Sequence, residues 1–238
     1  MIRVNGLHKS YGSRAVLKGV ELHVPAGKIV GIAGPNACGK STLLKCLLGL
    51  AVPQSGEIRI AGKGIAGNGE FRRSVGYMPQ NPQFPPGLKG FELLEMLEHL
   101  RGERAARKER LVSHFGLERA LGQPTGELSG GTRQKLSAVA AFMFDAPVVL
   151  LDEPTAGMDP LVSVRFKELL AEQVSAGKAI LLVSHLISEI EQLASSIIFL
   201  EDGQTAFSGE IRDLLSRTGA ERLDLALTRL FEGRVASP

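Results

Sequence analysis

The feature that most constrains this chain is a short apolar run that ends in a glycine-rich loop. Lys28-Ile29-Val30-Gly31-Ile32-Ala33 has the character of a strand buried in a parallel sheet. It breaks at Gly34-Pro35-Asn36 and runs on through Ala37-Cys38-Gly39-Lys40-Ser41. Beyond Gly39, Leu43, Leu44, Leu47 and Leu48 recur at helical spacing until Gly49. Gly34 to Ser41 fits G-x-x-x-x-G-K-[ST]. Its glycines let successive backbone N–H groups point into one concavity, and the helix that follows adds its positive end. Lys40 can reach the β- and γ-phosphates of a nucleotide, and the Ser41 hydroxyl can ligate Mg²⁺. The bland alternative is a glycine turn between strand and helix.

A second element is Val148-Val149-Leu150-Leu151-Asp152-Glu153, an apolar strand that ends in two carboxylates. At the C-terminal tip of a parallel strand, Asp152 stands where such sheets bind ligands and can hold Mg²⁺. Glu153 can polarise an attacking water as general base. A third is Leu128-Ser129-Gly130-Gly131-Thr132, in which a hydroxyl and two glycine N–H groups at a helix start make a second anion site. On its own this segment also reads as an ordinary helix cap after a glycine turn.

Together these elements resemble the ATP-binding subunits of ABC transporters, and the resemblance covers nearly the whole chain. Leu128 to Thr132 is similar to the LSGGQ segment that defines the family. Gly34, Pro35, Asn36, Ala37, Cys38, Gly39, Lys40 and Ser41, with the adjoining Thr42, match its phosphate loop, and Leu150 to Glu153 its Mg²⁺ strand. The resemblance assigns Tyr11 to stacking on adenine and Gln80 to sensing Mg²⁺ and the transporter partner. It assigns Asp159, in Ala156-Gly157-Met158-Asp159, to dimer contact, and His185 to gripping the γ-phosphate. It implies a P-loop NTPase of α/β class with a RecA-like sheet core, an N-terminal antiparallel β subdomain and an inserted α-helical subdomain. The cofactors implied are ATP and Mg²⁺. Two copies are expected to pack head to tail, so that Ser129, Gly130, Gly131 and Thr132 of one chain cap the phosphate held by Lys40 of the other. Both sites look complete, which favours a homodimer. Closing of that dimer is expected to drive a membrane permease, and hydrolysis to reset it.

The sequence departs from the family pattern in three places. Thr132 stands where Gln is usual, shorter but still hydroxylated. Met158 replaces the commoner Leu. Ala37-Cys38 replaces Gly-Ala or Gly-Ser; Cys38 reads as a small packing residue, the alternative being a thiol beside the phosphate nest that nucleotide shields from alkylation.

Elsewhere the chain is read as a single domain over 1–238. Short strands are expected in the first 25 residues, at Glu57 to Ala61 and at Ser74 to Met78. A helical insertion is expected over about 81–145, then a strand, a helix from Leu161 to Gln173, and the strand Ile180 to Val183. A hairpin turning at Asp202-Gly203 and a helical tail over about 210–238 complete the reading. The apolar segment Phe84 to Phe91 follows Gln80, in the region that borders the permease groove in the family. The tail resembles the terminal helix of exporter-type ATPases without a large regulatory domain. The run from Leu128 into Asp145-Ala146-Pro147 resembles the ATPases encoded with nitrous-oxide reductase maturation genes, which energise a membrane partner that helps supply copper. A periplasmic accessory protein acting through the permease is a further implied partner.

Composition narrows the alternatives. With 44% hydrophobic and 22% charged residues, the 238-residue chain can bury a real core, and no apolar run reaches the roughly 20 residues of a membrane helix. The start of the chain has no secretory apolar core, so it is expected in the cytoplasm, peripheral on the inner membrane face. Net charge is only +3, and the densest basic stretch, Arg101 to Arg110, is interrupted by Glu103 and Glu109. It reads as a solvated helix face rather than a nucleic-acid patch. Two cysteines and five histidines without ligand-like spacing do not make a copper or zinc cage. The alternative of another class is a non-transport ABC ATPase serving a soluble or nucleic-acid machine, which usually needs two cassettes, a long coiled coil or zinc insertions. A nucleotide kinase has no need of Ser129-Gly130-Gly131 or His185, and a pure ATP-gated binder no need of Glu153.

Overall fold

The computed structural model describes residues 1–67 and 69–235. Two sheets carry the chain. The first is antiparallel, in the order β2-β1-β4-β5, and is built from β1 (Ile2–Tyr11), β2 (Arg14–Val24), β4 (Ser55–Ile60) and the short β5 (Lys63–Gly64). The second has six strands in the order β10-β9-β3-β8-β7-β6. They are β3 (Lys28–Ala33), β6 (Val75–Met78), β7 (Val148–Asp152), β8 (Ala179–Val183), β9 (Ser196–Glu201) and β10 (Gln204–Glu210). From β9 to β6 its pairings are parallel, and only β10 runs back as a hairpin.

The uninterrupted apolar runs of β3, β7 and β8 follow from burial on both faces. On β8, Ile180 and Leu182 face one core while Ala179, Leu181 and Val183 face the other, and β7 divides in the same way. One core lies between the two sheets, around α1 (Lys40–Leu47), whose Leu43, Leu44 and Leu47 are buried. The other lies against the opposite face of the large sheet. Helices α4 (Gly130–Phe142), α5 (Pro160–Ser175), α6 (Ile187–Leu193), α7 (Ile211–Thr218) and α8 (Leu223–Val235) cover it.

Between β6 and β7 stand α2 (Gly90–Arg101), α3 (Lys108–His114) and α4, joined by irregular chain and two single 3₁₀ turns. The helical region is thus three helices rather than one continuous pattern. Gly102 takes left-handed backbone and ends α2. The basic stretch from Arg101 to Arg110 corrects the expectation of a solvated helix face. Residues 102–107, most of it, are non-helical. Arg101 lies 4.3 Å from the centre of the Phe144 ring, and Lys108 pairs with Glu98 at 2.6 Å. Arg107 and Arg110 both pair with Glu172 of α5. These cations bridge elements, which a linear reading of charge does not reveal.

The tail is two helices. Leu223, Ala226 and Leu227 are buried, and Phe231 packs on Phe199 with ring centres 4.8 Å apart. Arg229 donates to the carbonyl oxygens of Thr218 and Gly219, satisfying the end of α7. The last three residues of the expected tail, 236–238, lie outside the described residues. Among the described residues no helix is long and apolar enough to cross a membrane.

Candidate functional site

Four adjacent parallel strands deliver the polar groups. β3 ends at Ala33 and leads into the phosphate loop; β8 ends at Val183, two residues before His185. β7 ends at Asp152, and β6 ends two residues before Gln80. Because these strands neighbour one another in the order β3-β8-β7-β6, their C-terminal ends open onto one crevice.

That crevice is a cleft of 460 Å³. Its walls include Asn36, Ala37, Gly39, Lys40, Ser41, Thr42, Gln80, Asp152, Glu153 and His185, with Tyr11 at the rim. Gly34, Pro35 and Cys38 belong to the loop but do not line the cleft. Arg14 and Val16 do line it, and the sequence reading missed both. The Tyr11–Arg14 pairing that closes the β1–β2 turn was the available signal, since it sets a cation beside the expected adenine platform. Tyr11 is 49% exposed.

The loop conformation explains its glycines. Gly34 has φ +149°, and a Cβ there would lie 2.2 Å from the carbonyl oxygen of Leu200. Gly39 has φ +113° and leaves no room beside Leu17. Lys40 Nζ donates to the carbonyl oxygens of Gly34 and Pro35 at 2.7 and 2.9 Å and, weakly, to Cys38 Sγ, the contact most readily given up to an anion. Cys38 is buried, its Sγ 3.8 Å from Lys40 Nζ.

The two carboxylates differ sharply. Glu153, 7% exposed, has left-handed backbone at φ +48°. Its Oε1 accepts from the backbone N–H of His185 at 2.8 Å, and its Oε2 from Ser184 Oγ at 3.3 Å and His185 Nδ1 at 2.8 Å. With Nδ1 donating, the neutral ring of His185 has its lone pair on Nε2. Among the described residues none donates a hydrogen bond to Asp152, and its proton affinity rises to a pKa of about 6. Burial is the main cause and the neighbouring Glu153 charge the second, with Lys40 opposing. Burial and the Asp152 charge also push the Tyr77 hydroxyl up. A part-buried carboxylate without a donor, beside an exposed Ser41 hydroxyl, fits a hard divalent cation.

Ser129, Gly130, Gly131, Thr132 and Asp159 do not join this cleft. Ser129 caps α4, accepting from the Thr132 N–H at 3.2 Å, and its hydroxyl lies 2.8 Å from that of Thr132. Both Ser129 and Gly130 are exposed. Asp159 caps α5 through Oδ1 and the Val162 N–H at 2.9 Å.

Comparison with known proteins identifies the class. The ABC transporter family profile matches residues 17–156. A daunorubicin/doxorubicin resistance ATP-binding protein of Streptomyces peucetius is 34% identical over 95% of this chain and 70% of its own length. The lantibiotic transport ATP-binding protein SrtF of Streptococcus pyogenes is 30% identical over 98% of this chain and all of its own. A solved ATP-binding subunit of an ABC transporter superposes with a TM-score of 0.91 at 32% identity, covering 97% of this chain and 99% of that one. The dimeric cassette MJ0796 bound to ADP and phosphate superposes with a TM-score of 0.78 at 26% identity, over 88% of this chain and 98% of its own. The chain belongs to the ABC transporter family as an ATP-binding subunit, and it is an ATPase.

Proposed function

We propose that this subunit binds Mg²⁺-ATP in the cleft and closes head to tail on a second copy. Hydrolysis then resets that closure, and the cycle drives an exporter-type membrane permease on the cytoplasmic face. The observation that carries the reading is the meeting of Lys40, Ser41, Gln80, Asp152, Glu153 and His185 in one cleft, while the Ser129 cap stays exposed outside it.

In this reading the backbone N–H groups from Asn36 to Ser41 cradle the phosphates, Lys40 supplies the positive charge, and Tyr11 stacks on the base. Ser41, Asp152 and Gln80 would hold the Mg²⁺, which would supply charge neutralisation at the phosphate oxygens. Oε1 of Glu153 stays on the His185 backbone N–H, so the carboxylate keeps its place when the imidazole leaves Oε2. That oxygen is then free to accept a proton from water, and the released ring donates its Nδ1–H to the γ-phosphate. Ser129, Gly130, Gly131 and Thr132 of the second copy cap the same phosphate, and Asp159 borders that contact. Closure on ATP converts binding free energy into movement of the permease.

The apolar face for the permease includes Phe91, exposed at the start of α2, after the exposed Pro85-Pro86-Gly87. Export is supported by the drug and lantibiotic names of the relatives. Service to copper-site maturation, through a permease and a periplasmic accessory protein, rests on the resemblance of residues 128–147 alone. Any copper would be handled by those partners. The test is Glu153→Gln in the full chain. Turnover is expected to fall at least a hundredfold, while ATP drives a dimer that co-purifies with a multi-span membrane protein. Undiminished turnover would remove Glu153 as base, and capture of soluble or nucleic-acid partners alone would remove the permease.

A further inference from the structure

The turn that follows Glu153 is held from two sides. Towards α6, Glu153 engages His185, and Thr155 Oγ1 donates to Glu189 Oε1 at 2.6 Å; Glu189 is 8% exposed. Towards α4, Gln134 Nε2 donates to the carbonyl oxygen of Pro154 at 2.9 Å. Gln134 is 2% exposed and shares the buried side of its helix with Ser137, Ala138, Ala141 and Phe142. An amide in such a place is unfavourable without a partner, and an apolar side chain of the same length would pack there as well. What the amide adds is one directed bond to the carbonyl next to Glu153. A second contact lies one turn back along α4, where a Cβ on Gly131 would come within 3.2 Å of the Gly157 carbonyl oxygen. The helix that starts at Ser129 therefore meets the turn at both ends, Pro154 and Gly157.

We propose that Gln134 is a positioning residue for hydrolysis, fixing the Glu153–Gly157 turn to α4 so that a chain's Ser129 cap sets the place of its own Glu153. The inference rests on the reading of Glu153 as base and of Ser129 as the cap for a second copy's phosphate. A helix is stiff along its axis, so a phosphate seated at Ser129 moves Gln134 with it. Gln134 moves Pro154, and the carboxylate one residue earlier follows. Each chain thus passes the state of the site it caps to the site it catalyses, through one buried amide.

The test uses the full chain with Gln134→Met, which keeps length and burial and loses the donor. Steady-state kcat is expected to fall tenfold or more, while KM for ATP stays within about twofold. In a Glu153→Gln background, the ATP concentration that drives dimerisation is also expected to stay within about twofold. A kcat within twofold of the parent overturns the proposal. So does a fall in kcat matched by an equal loss of ATP-driven dimerisation, because the damage is then general. If Gln134→Met does not melt cooperatively, Gln134→Asn, one methylene too short to reach Pro154, takes its place with the same outcomes. Full turnover in Glu153→Gln would instead fell the reading beneath, and this inference with it; an inert Gln134→Met beside a dead Glu153→Gln fells this inference alone.

Discussion

Replacing Asp152 by Asn removes a group that the cleft holds at a cost. The carboxyl's proton affinity rises from a pKa of 3.8 to about 6 because burial and Glu153 disfavour its charge more than Lys40 favours it. At about 1.4 kcal/mol per tenfold change in affinity, keeping Asp152 ionised weakens the fold by up to about 3 kcal/mol. The side chain is partly exposed, and solvent screening reduces this to roughly 1–2 kcal/mol. The folded chain binds this proton more tightly than the unfolded one, so stability falls as pH rises from about 4 to about 6, and the full penalty is present above that window.

Without nucleotide at pH 7.5, Asp152→Asn is therefore expected to be more stable than the parent by roughly 1–2 kcal/mol, with melting roughly 2–8 °C higher. Urea unfolding at pH 7.5 and again at pH 4.5 reads both the size and the pH dependence. The advantage should fall to about a third at pH 4.5, where the parent's Asp152 is mostly neutral in the folded state. Saturating Mg²⁺-ATP should reverse the order, since the parent gains binding free energy that the variant largely lacks. An Asn variant no more stable than the parent at pH 7.5 would refute the argument that the carboxylate is uncompensated.

Two further predictions address the helices around the site. Ser129→Ala removes the cap of α4, which should lower stability by about 1 kcal/mol. In a Glu153→Gln background it should also raise at least tenfold the ATP needed to form a dimer in light scattering, whereas Thr132→Ser, which keeps the hydroxyl beside Ser129, should leave that threshold unchanged. Equal thresholds for all three chains would count against a cap at Ser129. Gly76→Ala places a Cβ 2.2 Å from the Ala141 carbonyl oxygen, where β6 meets α4. It should weaken the fold by about 3 kcal/mol in urea unfolding, and an unchanged midpoint would contradict that spacing.

What could be read in the sequence follows from how local each signal is. The buried strands β3, β7 and β8 announced themselves as apolar runs, and the phosphate loop as glycines in fixed spacing before a lysine. β1 was harder: it extends to Tyr11, while only Ile2-Arg3-Val4 alternates clearly, because its register against β2 shifts after Val4, after Leu7 and again after Lys9. The helical insertion was expected over about 81–145, with no break marked inside it, because apolar residues recur there. Gly102 and Gly116, both at positive φ, divide it. The roles of Arg107, Arg110 and Gln134 were invisible for another reason. Their partners Glu172 and Pro154 are distant in sequence, and a charge or amide in a helical pattern looks solvated until the opposing element is in place.

The division of the polar groups into a cleft and an outlying cap follows from the fold. Loops at the ends of neighbouring parallel strands meet, so β3, β6, β7 and β8 bring Lys40, Gln80, Asp152, Glu153 and His185 together. Ser129 heads α4, a helix laid across the opposite core, and its exposed tip lies outside the cleft of its own chain. An anion site made of one hydroxyl and glycine N–H groups has little to offer within that chain, since its own phosphate loop already supplies an anion nest. The same tip becomes useful when another copy presents its phosphates, and a head-to-tail pair satisfies both copies at once by symmetry. In such a pair the state of each cap must be known to the catalytic carboxylate of the chain that carries it. The buried bond from Gln134 to Pro154 joins the two elements directly.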